Sequence, residues 1–85
     1  MKICFCYETF NTKDETYKNL WSDECDYKDM EKAKKNAVAG IKTVERMNRI
    51  VDAVHIMDVS STPNYLNLFT YEPQTGEWEK NQEAA

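Results

Sequence analysis

The chain has few of the residues that interrupt regular structure and no long apolar run. Its 85 residues include two glycines and two prolines, which favours regular elements joined by a few loops. No apolar stretch approaches the roughly 20 residues that a membrane-spanning helix needs, so we expect no membrane partner. The first ten residues lack a long apolar stretch and a small-residue cleavage site. We therefore interpret them as mature protein and not as a secretory signal peptide.

Signatures of catalysis are also missing. The single histidine, His55, would have to meet a cysteine to form a base–nucleophile pair. The sequence has neither a nucleophile elbow nor a glycine-rich oxyanion loop. We therefore predict that the chain is not an enzyme, that it uses no cofactor, and that His55 is a strand residue with a hydrogen-bonding partner.

The three cysteines, Cys4, Cys6 and Cys25, are odd in number and follow no disulfide framework. This usage predicts free thiols in a reducing compartment, which is the cytoplasm, or the host cytoplasm if the protein is viral. With His55 they equal the ligand count of a tetrahedral zinc site, but the C-x-C spacing is unusual for zinc. We predict no metal site and keep a small redox or zinc protein as the third alternative.

Length and composition indicate one small globular domain. Hydrophobic residues make up 41% and charged residues 31% of the chain, as is usual for soluble globular proteins. The net charge of -4 is unevenly distributed. Residues 1–27 have six acids and three bases, residues 28–49 have seven bases and three acids, and residues 50–85 have six acids and one base. A basic middle between acidic ends is an asymmetry that can steer partners.

Period-two patterns predict strands at residues 2–10, 53–59 and 65–71, with a weaker candidate at residues 16–21. In the predicted strand 65–71, one face carries Leu66, Leu68 and Thr70, and the other carries Tyr65, Asn67, Phe69 and Tyr71. A turn at residues 60–64 (SSTPN) precedes this strand.

The segment YLNLFTYEPQTGEWEK predicts a hairpin. Pro73 and Gly76 have the turn chemistry, and Trp78 lies on a short returning strand across from the aromatic residues of the outgoing strand.

The period changes to three and four after Asp26, which predicts an amphipathic helix of about 18–20 residues. Asp26 or Asp29 is the expected N-cap, and Asn48 is the expected stop. Gly40 lies beside the apolar stripe, where the missing side chain would let a strand approach closely. The stripe consists of Met30, Ala33, Ala37, Ile41, Val44 and Met47.

This order of elements, β-(β)-α-β-β-(β), predicts a two-layer α+β fold with one helix packed on an antiparallel sheet of three to five strands. We expect a single domain over residues 1–80 and a frayed tail over residues 81–85. An exposed edge strand, either the first strand or the last strand of the hairpin, could pair with a second copy and form a homodimer.

Two surfaces are candidates for partner binding. The acidic run at residues 23–26 is either an interaction edge or a solvated loop that caps the helix, and the nearby aromatic residues are either packing anchors or interface hot spots. The lysines and arginines of the helix are either its solvated face or a nucleic-acid contact. We predict that a partner protein contacts Trp21, Asp23, Glu24, Asp26 and Tyr27, with Lys32 and Lys35 as a second patch.

The run DYKDMEKAKKNA opens the helix and is followed by AVHIMDV and YLNLFTYEPQTGEW. In this layout the sequence resembles small phage-encoded proteins with a strand, a helix and a terminal β-meander. Some small anti-CRISPR proteins, including one that blocks a type I-F surveillance complex, are similar in that order. The resemblance implies a non-enzymatic inhibitor that binds a host protein or complex and occludes its surface, and it assigns no individual functional residue. The alternative is a nucleic-acid-associated accessory domain that uses the basic helix face.

Overall fold

The computed structural model describes residues 1–60 and 64–81. Within these residues one helix packs on one antiparallel sheet, so the predicted α+β fold class is confirmed. The elements are β1 (Lys2–Asn11), β2 (Thr16–Trp21), β3 (Cys25–Asp26), α1 (Met30–Glu45), β4 (Arg49–Asp58), β5 (Leu66–Glu72) and β6 (Glu77–Lys80). None of the described helical segments is long and apolar enough to cross a membrane.

The sheet has the strand order β2-β1-β4-β5-β6, and the short β3 pairs with β1 next to β2. The first strand is therefore internal, and the prediction that it could be an exposed edge is wrong. Its nearly continuous apolar sequence matches that position, since an internal strand is covered more completely than an edge strand. The last strand of the hairpin, β6, does form one edge, and β2 forms the other.

The helix begins after the second of the two expected N-caps and is shorter than the 18–20 residues predicted. Asp29 is the N-cap and accepts the backbone N–H of Glu31 at 3.0 Å, which satisfies one of the free amides of the first turn. Cys25–Asp26 is extended and pairs with Lys2 and Ile3, which leaves α1 with 16 residues. Asn48 has a φ of 61°, a left-handed conformation that asparagine tolerates. The chain turns there, and β4 begins at the next residue.

The helix covers one face of the sheet, and this helix-covered face holds the apolar core. Strands β1 and β4 contribute Ile3, Val54 and Ile56, and the helix contributes Ala33 and Ala37, all 0% exposed. The opposite face, which carries Cys4, Cys6 and His55, is called the open face below.

The predicted apolar stripe is wrong at its last residue, since Met47 is 52% exposed. The helix ends at Glu45, so helical spacing no longer places residue 47 over the sheet.

Gly40 allows the close approach that the sequence predicted. The Tyr7 hydroxyl of β1 donates a hydrogen bond to the carbonyl of Ala37 at 2.7 Å, and a Cβ added at residue 40 would collide with that hydroxyl. The missing side chain is therefore the space in which a buried tyrosine meets the helix backbone.

The C-terminal hairpin also forms as predicted. Gly76 has a φ of 73°, its N–H donates to the Glu72 carbonyl at 2.8 Å, and the rings of Tyr71 and Trp78 lie 5.1 Å apart. The predicted turn at 60–64 and the tail at 81–85 fall largely outside the described residues.

A β-bulge in the pairing of β4 with β5 changes the side-chain faces that strict alternation predicts. The register shifts between Ile56 and Met57, so that Met57 pairs with Asn67 and His55 pairs with Thr70. Asn67 and Thr70 consequently share the open face, although they are three residues apart. The prediction that Asn67 shares a face with Phe69 is therefore wrong.

Candidate recognition groove

A concave surface in the predicted binding region lies between β3 and the beginning of α1. We call it the recognition groove. Its volume is about 400 Å³, which is large enough to receive side chains from a partner surface. Its lining consists of Cys25, Asp26, Tyr27, Lys28, Asp29, Lys32 and Asn36.

Tyr27 is anchored in the wall of the recognition groove by both ends of its side chain. Its ring lies 6.0 Å from the ring of Phe5, and its hydroxyl accepts a hydrogen bond from the Asn36 amide at 2.7 Å. An aromatic side chain held in this way is preorganised, so binding would order little that is not already ordered.

The two acids of the recognition groove are already engaged within the chain. Asp26 Oδ1 lies 2.8 Å from the ammonium of Met1, and the hydrogen bond and charge of that ammonium lower the pKa of the Asp26 carboxyl. Asp29 caps the helix. Neither carboxylate is fully available to a partner.

The two bases of the recognition groove are available. Lys28 and Lys32 are exposed, and neither forms an ion pair within residues 1–60 and 64–81. The recognition groove thus offers positive charge to a partner, while Asp23 and Glu24, exposed just before β3, offer negative charge at its side. A partner surface with the opposite arrangement of charges would fit both.

The structure brings three of the seven predicted contact residues together in the recognition groove, namely Asp26, Tyr27 and Lys32. Asp23 and Glu24 precede it in the chain, and Lys35 is exposed on the helix but does not line the groove. Trp21 lies elsewhere, because its ring is 6.1 Å from that of Tyr65, in a pair across the open face.

Sequence reasoning missed Cys25, Lys28, Asp29 and Asn36 as groove residues. The helical spacing of Asp29, Lys32 and Asn36 is a signal that could have found two of them, since residues three, four and seven apart share one helix face. Cys25 and Lys28 enter because β3 is extended, which the sequence did not predict.

His55 has hydrogen-bonding partners on the open face, as predicted. Its Nδ1 lies 2.8 Å from the Thr70 hydroxyl and 2.9 Å from the Asn67 amide nitrogen, and its Nε2 contacts the Glu8 carboxylate. The Asn81 amide also donates to Thr70. These groups come from β1, β4, β5 and the end of β6, so only the strand register could have shown the cluster.

The cysteines and His55 do not form the zinc set that was considered as an alternative. Cys25 pairs with Ile3 and lines the recognition groove on the helix side, whereas Cys4 and Cys6 lie on the open face opposite Met57 and His55. All three cysteines are free. Burial raises the pKa of the Cys4 thiol and raises that of Cys6 to about 11, so both are poor nucleophiles at neutral pH.

Comparison with protein-family models, with curated proteins and with solved structures finds no match to this chain. The likeness in layout to small anti-CRISPR proteins therefore remains a hypothesis.

Proposed function

We propose that the chain is a small non-catalytic binding protein that inhibits or modulates a host macromolecule by covering part of a protein surface. The recognition groove carries this proposal, because it joins an anchored aromatic ring, an amide and two exposed lysines in one concave surface. Rigid aromatic side chains surrounded by polar groups are typical of interface hot spots.

The charges around the recognition groove indicate the character of the partner surface. Acidic side chains would meet Lys28 and Lys32, and basic side chains would meet Asp23 and Glu24. Such complementarity favours specificity and fast association more than raw affinity. On the layout resemblance we further propose that the protein is phage-encoded and acts in the host cytoplasm as an anti-CRISPR-type inhibitor.

The test is affinity capture from a host lysate, with quantitative mass spectrometry, using the wild-type chain and two charge-reversed variants. Lys32→Glu places a negative charge in the recognition groove, and Lys42→Glu makes the same change on the exposed helix surface outside it. We expect a partner that the wild type and Lys42→Glu capture and that Lys32→Glu loses by at least about tenfold, since a like-charge contact costs several kcal/mol.

Two further variants examine the other predicted contacts. Neutralising Asp23, Glu24 and Asp26 together should weaken capture, and Trp21→Ala should do so only if the partner surface extends beyond the recognition groove to the open face. A partner that all these variants retain at the wild-type level would overturn the assignment of the site.

A second candidate function is supported by the arrangement of bases on α1. Lys32, Lys35, Lys42 and Arg46 recur at spacings that place them on one side of the helix, and all are exposed. This stripe lies opposite Ala33, Ala37 and Val44, which face the sheet. A row of exposed bases opposite the core is a surface that nucleic-acid backbones can use.

The nucleic-acid hypothesis predicts a different response to the same variants. Lys32→Glu and Lys42→Glu should weaken binding equally, and the double change Lys32→Glu with Lys35→Glu should abolish it. If four phosphates are contacted, raising the salt from about 50 to about 200 mM should reduce affinity by roughly 100-fold. A gel-shift assay at low salt in which the wild type retains no nucleic acid excludes this alternative.

A further inference from the structure

Within the part of the chain that the structure describes, the outer edge of β2 has no partner strand, and the pairing with β1 determines which of its backbone groups point outward. The N–H of Ser22 donates to the Phe5 carbonyl at 2.9 Å, which continues the register in which Cys6 faces Trp21. Hydrogen-bonded and non-hydrogen-bonded positions alternate along an antiparallel pair. Thr16, Lys18 and Leu20 therefore direct their backbone groups toward β1. The N–H and C=O groups of Tyr17, Asn19 and Trp21 point outward.

The opposite edge, β6, is protected against pairing with a second copy. The N–H of Asn81 donates to the Leu68 carbonyl at 3.0 Å, so the outward groups of β6 belong to Trp78 and Lys80. Each symmetric antiparallel register that uses them places like charges opposite one another: Glu77 against Glu79, Glu79 against itself, or Lys80 against itself. Like charges opposed across strands are destabilising.

Strand β2 has no such protection in one register. When Asn19 faces Asn19 of a second copy, Tyr17 faces Trp21 and Lys18 faces Leu20. All three outward residues of each strand are then paired, which gives six hydrogen bonds, two for each pair. The neighbouring register that centres on Lys18 would oppose two lysines, so charge selects against it.

The side chains on the open face are complementary in the register centred on Asn19. Tyr17 is 78% and Trp21 is 50% exposed, and these two rings would become cross-strand partners. The ring of Tyr17 already lies 4.9 Å from that of Phe10, and the ring of Trp21 lies 6.1 Å from that of Tyr65. Pairing would join these two contacts into a row of four aromatic rings on each side of the axis.

On the helix-covered face the same register places the aliphatic stem of Lys18 against Leu20 of the second copy. Leu20 lines an apolar groove of about 280 Å³ beside α1 that also includes the half-exposed Met47. Lysine stems commonly cover apolar surface while the ammonium stays in water. Both faces of β2 would thus lose exposed apolar area.

We propose that the chain forms a two-fold symmetric dimer by antiparallel pairing of β2 with β2 of a second copy, with the two Asn19 residues at the axis. The two sheets then form one continuous sheet. No residue of β2 lines the recognition groove, so the dimer does not depend on the function proposed for that groove.

Proline substitution at each edge tests the dimer. Asn19→Pro removes an outward N–H and leaves the inward bonds to β1 intact, which is the position where an edge strand tolerates proline. Lys80→Pro makes the same backbone change at β6. Over concentrations from about 1 µM to about 1 mM, sedimentation should show a wild-type dimer, an unchanged dimer for Lys80→Pro, and a dimer weakened at least about tenfold for Asn19→Pro.

A disulfide tests the register in a background in which the exposed Cys25 is changed to serine. Asn19→Cys places two thiols across the axis with Cα atoms about 5.5 Å apart, which a disulfide can span. Tyr17→Cys places them far beyond that reach. Mild oxidation should link Asn19→Cys into dimers and leave Tyr17→Cys monomeric on a non-reducing gel.

The proposal is overturned if the wild type is monomeric throughout this range and Asn19→Cys does not link. It is also overturned if Tyr17→Cys links as readily as Asn19→Cys, since that requires another register. If the wild type is monomeric and captures a partner protein that Asn19→Pro does not capture, the β2 edge pairs with a foreign strand instead. Lys32→Glu leaves the dimer unchanged in every case, which separates this result from that for the recognition groove.

Discussion

The two faces of the sheet bury side chains by different means. On the helix-covered face, Ile3, Val54 and Ile56 are closed off by the small residues of α1. On the open face, Cys4 and Cys6 are 5% and 4% exposed, although α1 lies on the other side of the sheet. Aromatic side chains lie on this face instead, where the rings of Trp21 and Tyr65 are 6.1 Å apart.

This difference indicates where the fold tolerates change. The helix-covered face depends on side-chain volume, because a smaller side chain leaves a cavity among close-packed apolar groups and a larger one overpacks them. Either change lowers the free energy of unfolding. The open face depends on aromatic rings and on polar groups such as His55 and Thr70 that water can partly replace. Binding surfaces can therefore change on the open face and at the sheet edges while the helix-covered face keeps the fold.

The largest effect is expected from truncating a core residue on the helix-covered face. Ile56→Ala removes apolar volume from a side chain that is 0% exposed, and we expect it to lower the free energy of unfolding by about 3–4 kcal/mol. Ile50→Ala makes the same change on the same strand, where the side chain is 52% exposed. It should cost less than about 0.5 kcal/mol.

Chemical denaturation followed by circular dichroism measures both Ile→Ala variants. If Ile56→Ala does not fold, the milder Ile56→Val replaces it in the comparison, and it should cost about 1 kcal/mol. Equal losses at residues 50 and 56 would show that the two positions do not differ in packing as described.

The second effect concerns the contact between Gly40 and Tyr7. Gly40→Ala should be destabilising by about 1–2 kcal/mol, because overpacking at the Tyr7 hydroxyl exceeds the gain in helix propensity of about 1 kcal/mol. Tyr7→Phe should cost about 1 kcal/mol for the lost hydrogen bond to Ala37.

A double-mutant cycle tests whether these two residues are coupled. With both changes present, the loss should be smaller than the sum of the single losses by about 1 kcal/mol, since phenylalanine lacks the hydroxyl oxygen, the atom nearest to the new methyl group. Additive losses would show that the hydroxyl is not what the methyl group meets.

The sequence predicted what depends on local pattern. The helical stripe, the place of Gly40 and the hairpin turn at Gly76 follow from spacing and residue type, and each is confirmed except for Met47 at the end of the stripe. The weak candidate strand at residues 16–21 also forms.

The sequence could not predict what depends on pairing between distant segments. Cys25–Asp26 is extended because it pairs with the edge of β1, and no local sequence pattern predicts that pairing. The same is true of the bulge that brings Asn67 and Thr70 to His55. The contact residues predicted from the sequence include only three of those that line the recognition groove, because the lining comes from β3 as well as from α1.

A smaller effect is expected from the polar cluster on the open face. Thr70→Val keeps the shape of the side chain and removes the hydroxyl that lies 2.8 Å from His55 Nδ1. Because Thr70 is partly exposed, water can replace the lost partner, and the free energy of unfolding should fall by less than about 1 kcal/mol. Chemical denaturation of Thr70→Val and Ile56→Val under the same conditions compares the two losses in the free energy of unfolding. A loss well above that of Ile56→Val would mean that the open face relies on its polar groups as strongly as the other face relies on packing.

The ionisation of two adjacent residues, which face opposite sides of the sheet, has no effect on stability at neutral pH and acts only at alkaline pH. Burial raises the pKa of Cys6 on the open face from 9.0 to about 11, and that of Tyr7 on the helix-covered face from 10.0 to about 12. Each folded-state pKa lies above the unfolded value, so unfolding releases protons in that window and stability falls as the pH rises. Stability should therefore decline as the pH rises above about 9. Cys6→Ala should reduce the decline between pH 9 and 11, and Tyr7→Phe should reduce it only above pH 10. Chemical denaturation at a series of pH values measures the decline in each variant. A wild-type profile that stays flat to pH 11 would contradict the burial of Cys6 on the open face.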